Sequence, residues 1–316
     1  MLMSAEKKDH LSEKGAASVF LASLRGISQV LFIENAVSGV VILIAIMVSS
    51  WSLGVIALLS SIIGTLIGKI GGAPATSINN GLYGYNSVLA GMAMTLFLTG
   101  SSKWIIALIA AAITAIFAAT IVQFMKNVEL PILTIPFILL TWFMLLVSYR
   151  LKAFHLSESL VPQSLAYWEL EIAGKVNWVE GFFAGIGQIF FLDHPLSGAI
   201  LFIAVFLGNW RWGIVAVIGN TIGLLLAYGL GGEHSLIFRG LYGYNTILSC
   251  MAVAVVFGTA ANRFRFISGI VAACVSVLLT ASVFTWILPY GLPVLTLPFV
   301  LTTWLFLGAR KILTNL

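Results

Sequence analysis

Charge is scarce in this 316-residue sequence: Asp, Glu, Lys and Arg together make up 9% of it, where a soluble globular domain carries about 25%. A chain so poor in charge cannot dress a water-facing surface, so water is not its main solvent. Cysteine is scarcer still. Cys250 and Cys274 lie in apolar stretches at no pairing or metal-ligand spacing, which excludes a disulfide scaffold and leaves them as packing residues. The histidines are no better placed for metal or proton chemistry, with His155, His194 and His234 in or beside loops and His10 near the N-terminus. No apolar stretch holds the series of carboxylates, lysines or histidines that marks proton relays and ion-coupled pumps. A phosphate-binding Gly-rich loop with lysine, a metal-ligand cluster and a serine, histidine and acid constellation are all missing, so neither an enzyme nor a cofactor or metal is expected.

Hydrophobic residues fill that gap, at 60% of the chain. Runs at 37–50, 53–70, 82–98, 104–124 and 133–147 follow one another with short, mostly polar breaks. A bilayer core needs about 20 apolar residues per helix, so several of these are full spans, while 37–50 and its later counterpart 196–207 must borrow flanking residues or tilt. The runs are apolar all round rather than alternating, which selects helices over a β-barrel. Ten spans with the N-terminus inside place Lys7, Lys8, Lys14, Arg25, Lys69, Lys126, Arg211, Arg263, Arg265, Arg310 and Lys311 on the cytoplasmic side. Only Lys103, Arg150, Lys152, Lys175 and Arg239 then fall outside, as the positive-inside rule asks. The net charge of +5 is therefore assigned to membrane orientation and not to nucleic-acid binding. The N-terminus lacks the cationic start, short apolar run and cleavage site of a signal peptide and reads as a solvated tail.

The chain repeats itself. Gly81-Leu-Tyr-Gly-Tyr-Asn86 recurs unchanged as Gly240-Leu-Tyr-Gly-Tyr-Asn245, an offset of 159 residues, which also aligns Gln29 with Gln188, Phe32 with Phe191 and Glu34 with Asp193. Leu130-Pro-Ile-Leu-Thr-Ile-Pro-Phe137 recurs as Leu292-Pro-Val-Leu-Thr-Leu-Pro-Phe299 at an offset of 162, so three residues are gained, placed here in a loop. Five spans per half force the second half into the membrane upside down, and transport sites of inverted repeats lie near the midplane where the halves meet. The expected fold is an all-α integral membrane protein. It has two inverted five-helix repeats, each with a re-entrant half-helix, and about ten transmembrane spans around a central pore. A cytoplasmic N-terminal tail takes 1–17, the first repeat 18–148, an extracellular connector 149–177, the second repeat 178–308 and a cytoplasmic C-terminal tail 309–316. Within the connector, Tyr167 and Trp168 are expected on an interfacial helix.

The apolar stretches around Gln29 and Gln188 are too short or interrupted to cross, so both read as re-entrant half-helices lining a cavity. The prolines bracketing Thr134 and Thr296 free backbone carbonyls and suggest an exposed carbonyl row, with Pro131 and Pro293 starting helices and Pro136 and Pro298 in their first turns. Symmetry then sets Thr134 beside Thr296 at the midpoint of one pore. Packing is the plainer role for the glycines at 81, 84, 240 and 243, and N-capping for Glu34 and Asp193. Paired amides, hydroxyls, carbonyls and rings along a neutral path suit a small, uncharged solute with several N–H donors, such as urea.

The doubled proline-threonine motif, the doubled Gly-Leu-Tyr-Gly-Tyr-Asn and Gln29-x-x-Phe32 together closely resemble the urea transporter family, over about 24–307. The resemblance implies passive, channel-like urea movement through one pore per protomer of a homotrimer. It also implies side-chain oxygens of Gln29 and Gln188 at two urea sites, and Thr134 and Thr296 lining the constricted middle. Phe32 with Tyr85 and Leu89 would form one slot, and Phe191 with Tyr244 and Leu248 the other. Short tails look bacterial, which implies an inner-membrane location. A channel for another neutral solute, such as ammonia, water or short amides, is the alternative, although the buried histidine pair and doubled Asn-Pro-Ala of such pores are absent.

Overall fold

In the computed structural model, residues 18–259 and 261–316 are described; the tail expected at 1–17 lies outside them. Helix α1 covers 18–29, followed by α2 (Ala36–Ser49), α3 (Trp51–Ile70), α4 (Ala75–Asn79), α5 (Tyr85–Phe97), α6 (Lys103–Met125) and α7 (Ile135–Val147). The same order recurs as α8 (Trp178–Gly187), α9 (Pro195–Gly208), α10 (Trp210–Gly229), α11 (His234–Phe238), α12 (Gly243–Met251), α13 (Arg265–Ile287) and α14 (Leu297–Arg310). The last helix thus runs two residues into the segment expected to be tail.

Short polar residues punctuate the helices. Ser50 ends α2 and caps α3, where its hydroxyl accepts from Leu53 N, and Asn209 does the same between α9 and α10 with Arg211 N. The caps of α2 and α9 are not the expected acids. Asn35 Oδ1 accepts from Val37 N at 2.8 Å and His194 Nδ1 from Leu196 N at 3.3 Å, one residue beyond Glu34 and Asp193. A cap must sit directly before the first helical residue for its side chain to reach the N2 or N3 amide.

The packing is that of a protein dissolved in lipid. On α6, Ala107, Ala111, Thr114 and Ala118 are buried while Ile105, Ile109 and Ile116 are exposed; α3 buries Ala57, Ser61, Gly64 and Gly68. Lipid offers no hydrophobic drive between helices, so small residues bring backbones together and large apolar ones face outward. By length and composition, α3, α6, α10 and α13 can each cross a membrane, and α8 with α9, bent by 71°, would make a fifth. The expected spans at 37–50 and 133–147 appear as shorter apolar helices, and that at 82–98 as the 13-residue α5. Helix α7 has 13 residues, about 20 Å against a hydrocarbon core of about 30 Å, because it begins only at the proline-threonine segment.

Three expectations are corrected. Residues 149–177 carry no helix at Tyr167 and Trp168; their one regular element is a two-residue strand, His155–Leu156, antiparallel to Leu98–Thr99. Pro131 and Pro293 start no helix, since α7 and α14 begin at Ile135 and Leu297. Nor do all three extra residues of the second half fall in a loop. One is absorbed in a π turn, Ala252–Val256, that continues α12.

Candidate functional site

The two proline-threonine segments build the centre. Leu133 and Leu295 take left-handed backbone, with φ of 48° and 51°, a conformation that costs a leucine on the order of 1 kcal/mol or more and persists only where neighbours enforce it. Those neighbours come from the repeated Tyr-Asn. Tyr85 Oη donates to Leu133 O at 2.5 Å and Asn86 Nδ2 to the same oxygen at 3.2 Å; Tyr244 and Asn245 do so to Leu295 O at 2.6 and 3.2 Å. Each asparagine also closes the helix start, Asn86 Oδ1 accepting from Phe137 N at 3.3 Å and Asn245 Oδ1 from Phe299 N at 3.2 Å. Pro136 and Pro298 stand in the first two helical positions, where the missing N–H costs nothing.

The halves then exchange partners. Trp142 Nε1 donates to Pro293 O at 2.9 Å and Trp304 Nε1 to Pro131 O at 2.8 Å. Between them Thr134 Oγ1 and Thr296 Oγ1 lie 2.6 Å apart, each residue 4% exposed. The expected juxtaposition of the threonines is present. The carbonyl row is less bare than expected, because the Pro131, Leu133, Pro293 and Leu295 carbonyls already have donors.

The glutamine segments turn sharply. Helix α1 ends at Gln29 and α8 passes into a 3-10 turn at Gln188, after which Phe32 and Phe191 take φ of 63° and 58°. This reversal throws each ring into the other half. Phe32 meets Phe299 and Phe257 edge-on at 5.9 and 6.3 Å, and Phe191 meets Phe137 and Phe97 at 6.2 and 5.8 Å. The rings that Phe32 and Phe191 meet edge-on are therefore phenylalanines from across the molecule. Tyr85 and Tyr244 act through their hydroxyls on the leucine carbonyls, while Leu89 and Leu248 are core residues, each 1% exposed.

A cavity of about 420 Å³ opens at one end and brings together Gln188, Phe191, Tyr244 and Thr296, with Phe97, Phe137 and Asp193. Gln29, Phe32, Thr134, Tyr85 and Leu89 do not line it. Gln188 Nε2 donates to Asp193 Oδ1 at 2.6 Å, so the acid that does not cap α9 holds an amide instead and leaves Oε1 as the acceptor. Gln29 Oε1 is buried with no hydrogen-bond partner. An amide oxygen in that condition costs about 1–3 kcal/mol until a donor meets it. Each glutamine turn thus offers an amide acceptor three residues before a phenylalanine that sits edge-on to two rings of the other half.

Residues 20–311 match the family model described as "UT: Urea transporter". The chain belongs to the urea transporter family. Urea transporter 1 of Ovis aries is similar, 27% identical over 289 residues that cover 90% of this chain and 75% of the relative. Urea transporter 1 of Rattus norvegicus is 28% identical over 242 residues, 74% of this chain and 62% of the relative. In this urea transporter family chain the motifs single out the glutamines, threonines and first phenylalanines, but not the partners that Asn86, Asn245, Trp142, Trp304, Phe97 and Phe257 supply. A signal was present for the tryptophans, since Thr141-Trp142 recurs as Thr303-Trp304 at the proline-threonine offset. The asparagines close the repeated Gly-Leu-Tyr-Gly-Tyr-Asn, which by itself names no partner for them.

Proposed function

We propose that the chain lets urea cross a membrane passively, along one path that runs from Gln188 through Thr134 and Thr296 to Gln29. Family membership supports the solute, and the 2.6 Å contact between the two threonine hydroxyls carries the reading of a single path joining two equivalent halves. Urea is flat, with four N–H groups and one carbonyl. Phe191 with Phe97 and Phe137, and Phe32 with Phe257 and Phe299, offer ring faces and edges against which a flat solute would pass, while the glutamine oxygens would accept from its N–H edge. Removing an amide from water without replacement costs about 2–7 kcal/mol, so acceptors spaced along the path lower that barrier, and weak binding at each permits release.

The halves are taken as inverted copies about an axis in the membrane plane, which the reciprocal Trp142 and Trp304 contacts support. With Lys126, Arg310 and Lys311 at the Gln29 end, that end faces the cytoplasm, and both termini with it. A homotrimer in a bacterial inner membrane completes the proposal, on resemblance.

The test is urea entry into proteoliposomes, followed by light scattering, with and without imposed proton or sodium gradients. Fast entry that ignores the gradients is expected. Flux no greater than through empty liposomes sends the assignment to ammonia, water or another amide.

A further inference from the structure

Phe97 and Phe257 hold matching places, each edge-on to the phenylalanine that follows a glutamine turn in the other half. Their backbones differ. Tyr85 to Phe97 is unbroken α-helix, whereas the stretch from Tyr244 to Phe257 is one residue longer and takes up the excess in the π turn. There Phe257 N bonds to Ala252 O at 2.9 Å, five residues back, passing over Val253 O. Such turns are rare and concentrate at functional sites.

One side chain takes up the carbonyls this leaves. Arg310, in the last turn of α14, donates from Nη2 to Val253 O at 2.7 Å and from Nη1 to Phe257 O at 3.1 Å, while its Nε donates to Leu316 O at 2.9 Å. At the opposite slot the matching oxygen, Phe97 O, accepts from the main chain, Ser157 N, at 2.9 Å. A backbone clamp at one end is thus replaced by a guanidinium at the other.

We propose that Arg310 is a positioning residue for the aromatic slot at the Gln29 end: its fork holds the π turn so that Phe257 stays edge-on to Phe32, which sets the slot's width for a flat solute. The inference rests on the urea path proposed above. A guanidinium spans two carbonyls at fixed spacing, which an ammonium on a flexible stem cannot reproduce. Slot width, and with it discrimination against a solute bearing one added methyl, therefore depends on this residue.

The experiment compares urea and N-methylurea flux through the full-length protein in proteoliposomes for wild type, Arg310→Met, Arg310→Lys and Lys311→Met. Lys311 lies next in sequence but bonds to Val128 O and Glu129 instead. The urea to N-methylurea ratio should shift by about tenfold in Arg310→Met, the low end of what one methyl group is worth in a shaped pocket, and partway in Arg310→Lys. Lys311→Met should keep the wild-type ratio. General damage to the fold lowers both fluxes and leaves the ratio alone, so a wild-type ratio in either Arg310 variant overturns the proposal. Should Arg310→Met fail to fold, Arg310→Lys decides alone by the same criterion. Absence of urea flux in the wild type would instead defeat the transport reading.

Discussion

Thr134 Oγ1 and Thr296 Oγ1, 162 residues apart in sequence, are hydrogen-bonded at 2.6 Å where the two halves meet. Each threonine stands immediately before a helix without capping it, so its hydroxyl is spared for its counterpart. A left-handed leucine before each threonine aims the segment, and a tyrosine and an asparagine hold that leucine in place. The centre of the molecule is thus assembled twice from the same parts, and the copies close on each other.

The Tyr85 hydroxyl is predicted to stabilise the fold through Leu133 O. Tyr85→Phe leaves that buried carbonyl with the longer Asn86 bond only, at a cost of about 0.5–1.5 kcal/mol. Thermal unfolding in detergent should show a lowered midpoint, and Tyr244→Phe should behave alike. An unchanged midpoint in both would mean that the left-handed leucines need no such support.

Gly240→Ala is predicted to prevent assembly. Gly240 has φ of 83°, and an added β-carbon meets the backbone of Ala184 and Gly185 at the start of the second site, so neither the backbone conformation nor the close approach admits a methyl. Gly229→Ala, where nothing lies within 4 Å of the added carbon, is the control. Size-exclusion chromatography should recover the second variant as wild type and the first as aggregate; a well-behaved Gly240→Ala would contradict the packing described.

Much of this was legible in the sequence because it was written twice. Two copies of the proline-threonine motif suffice to pair Thr134 with Thr296, since a symmetric path has only one middle. What stayed hidden depended on contacts between distant segments. Asn86 closes a helix that starts 49 residues later, and no local pattern announces a cap from so far away. The ring partners of Phe32 and Phe191 come from the opposite half, a contact that neither half read by itself contains. The π turn appears in sequence as a one-residue change of offset between Asn245 and Phe257, which looks the same as a longer loop. Glu34 and Asp193 precede the true caps by one residue, too fine a distinction for composition to draw.

Trp142→Phe and Trp304→Phe each remove one reciprocal bond, to Pro293 O and Pro131 O. With the halves equivalent, the two single variants are expected to lose similar stability, about 0.5–1.5 kcal/mol each, and to lower urea flux similarly. A loss confined to one of them would show that one half carries the centre.

Urea flux in proteoliposomes through Thr134→Val, Thr296→Val and the double variant addresses the single path most directly. Two hydroxyls that serve one constriction as a pair should couple strongly, so each single variant, down by about tenfold for one lost polar contact near 1.4 kcal/mol, should already show most of the double variant's loss. Effects that add independently, or wild-type flux in all three, would contradict a path that passes between Thr134 and Thr296.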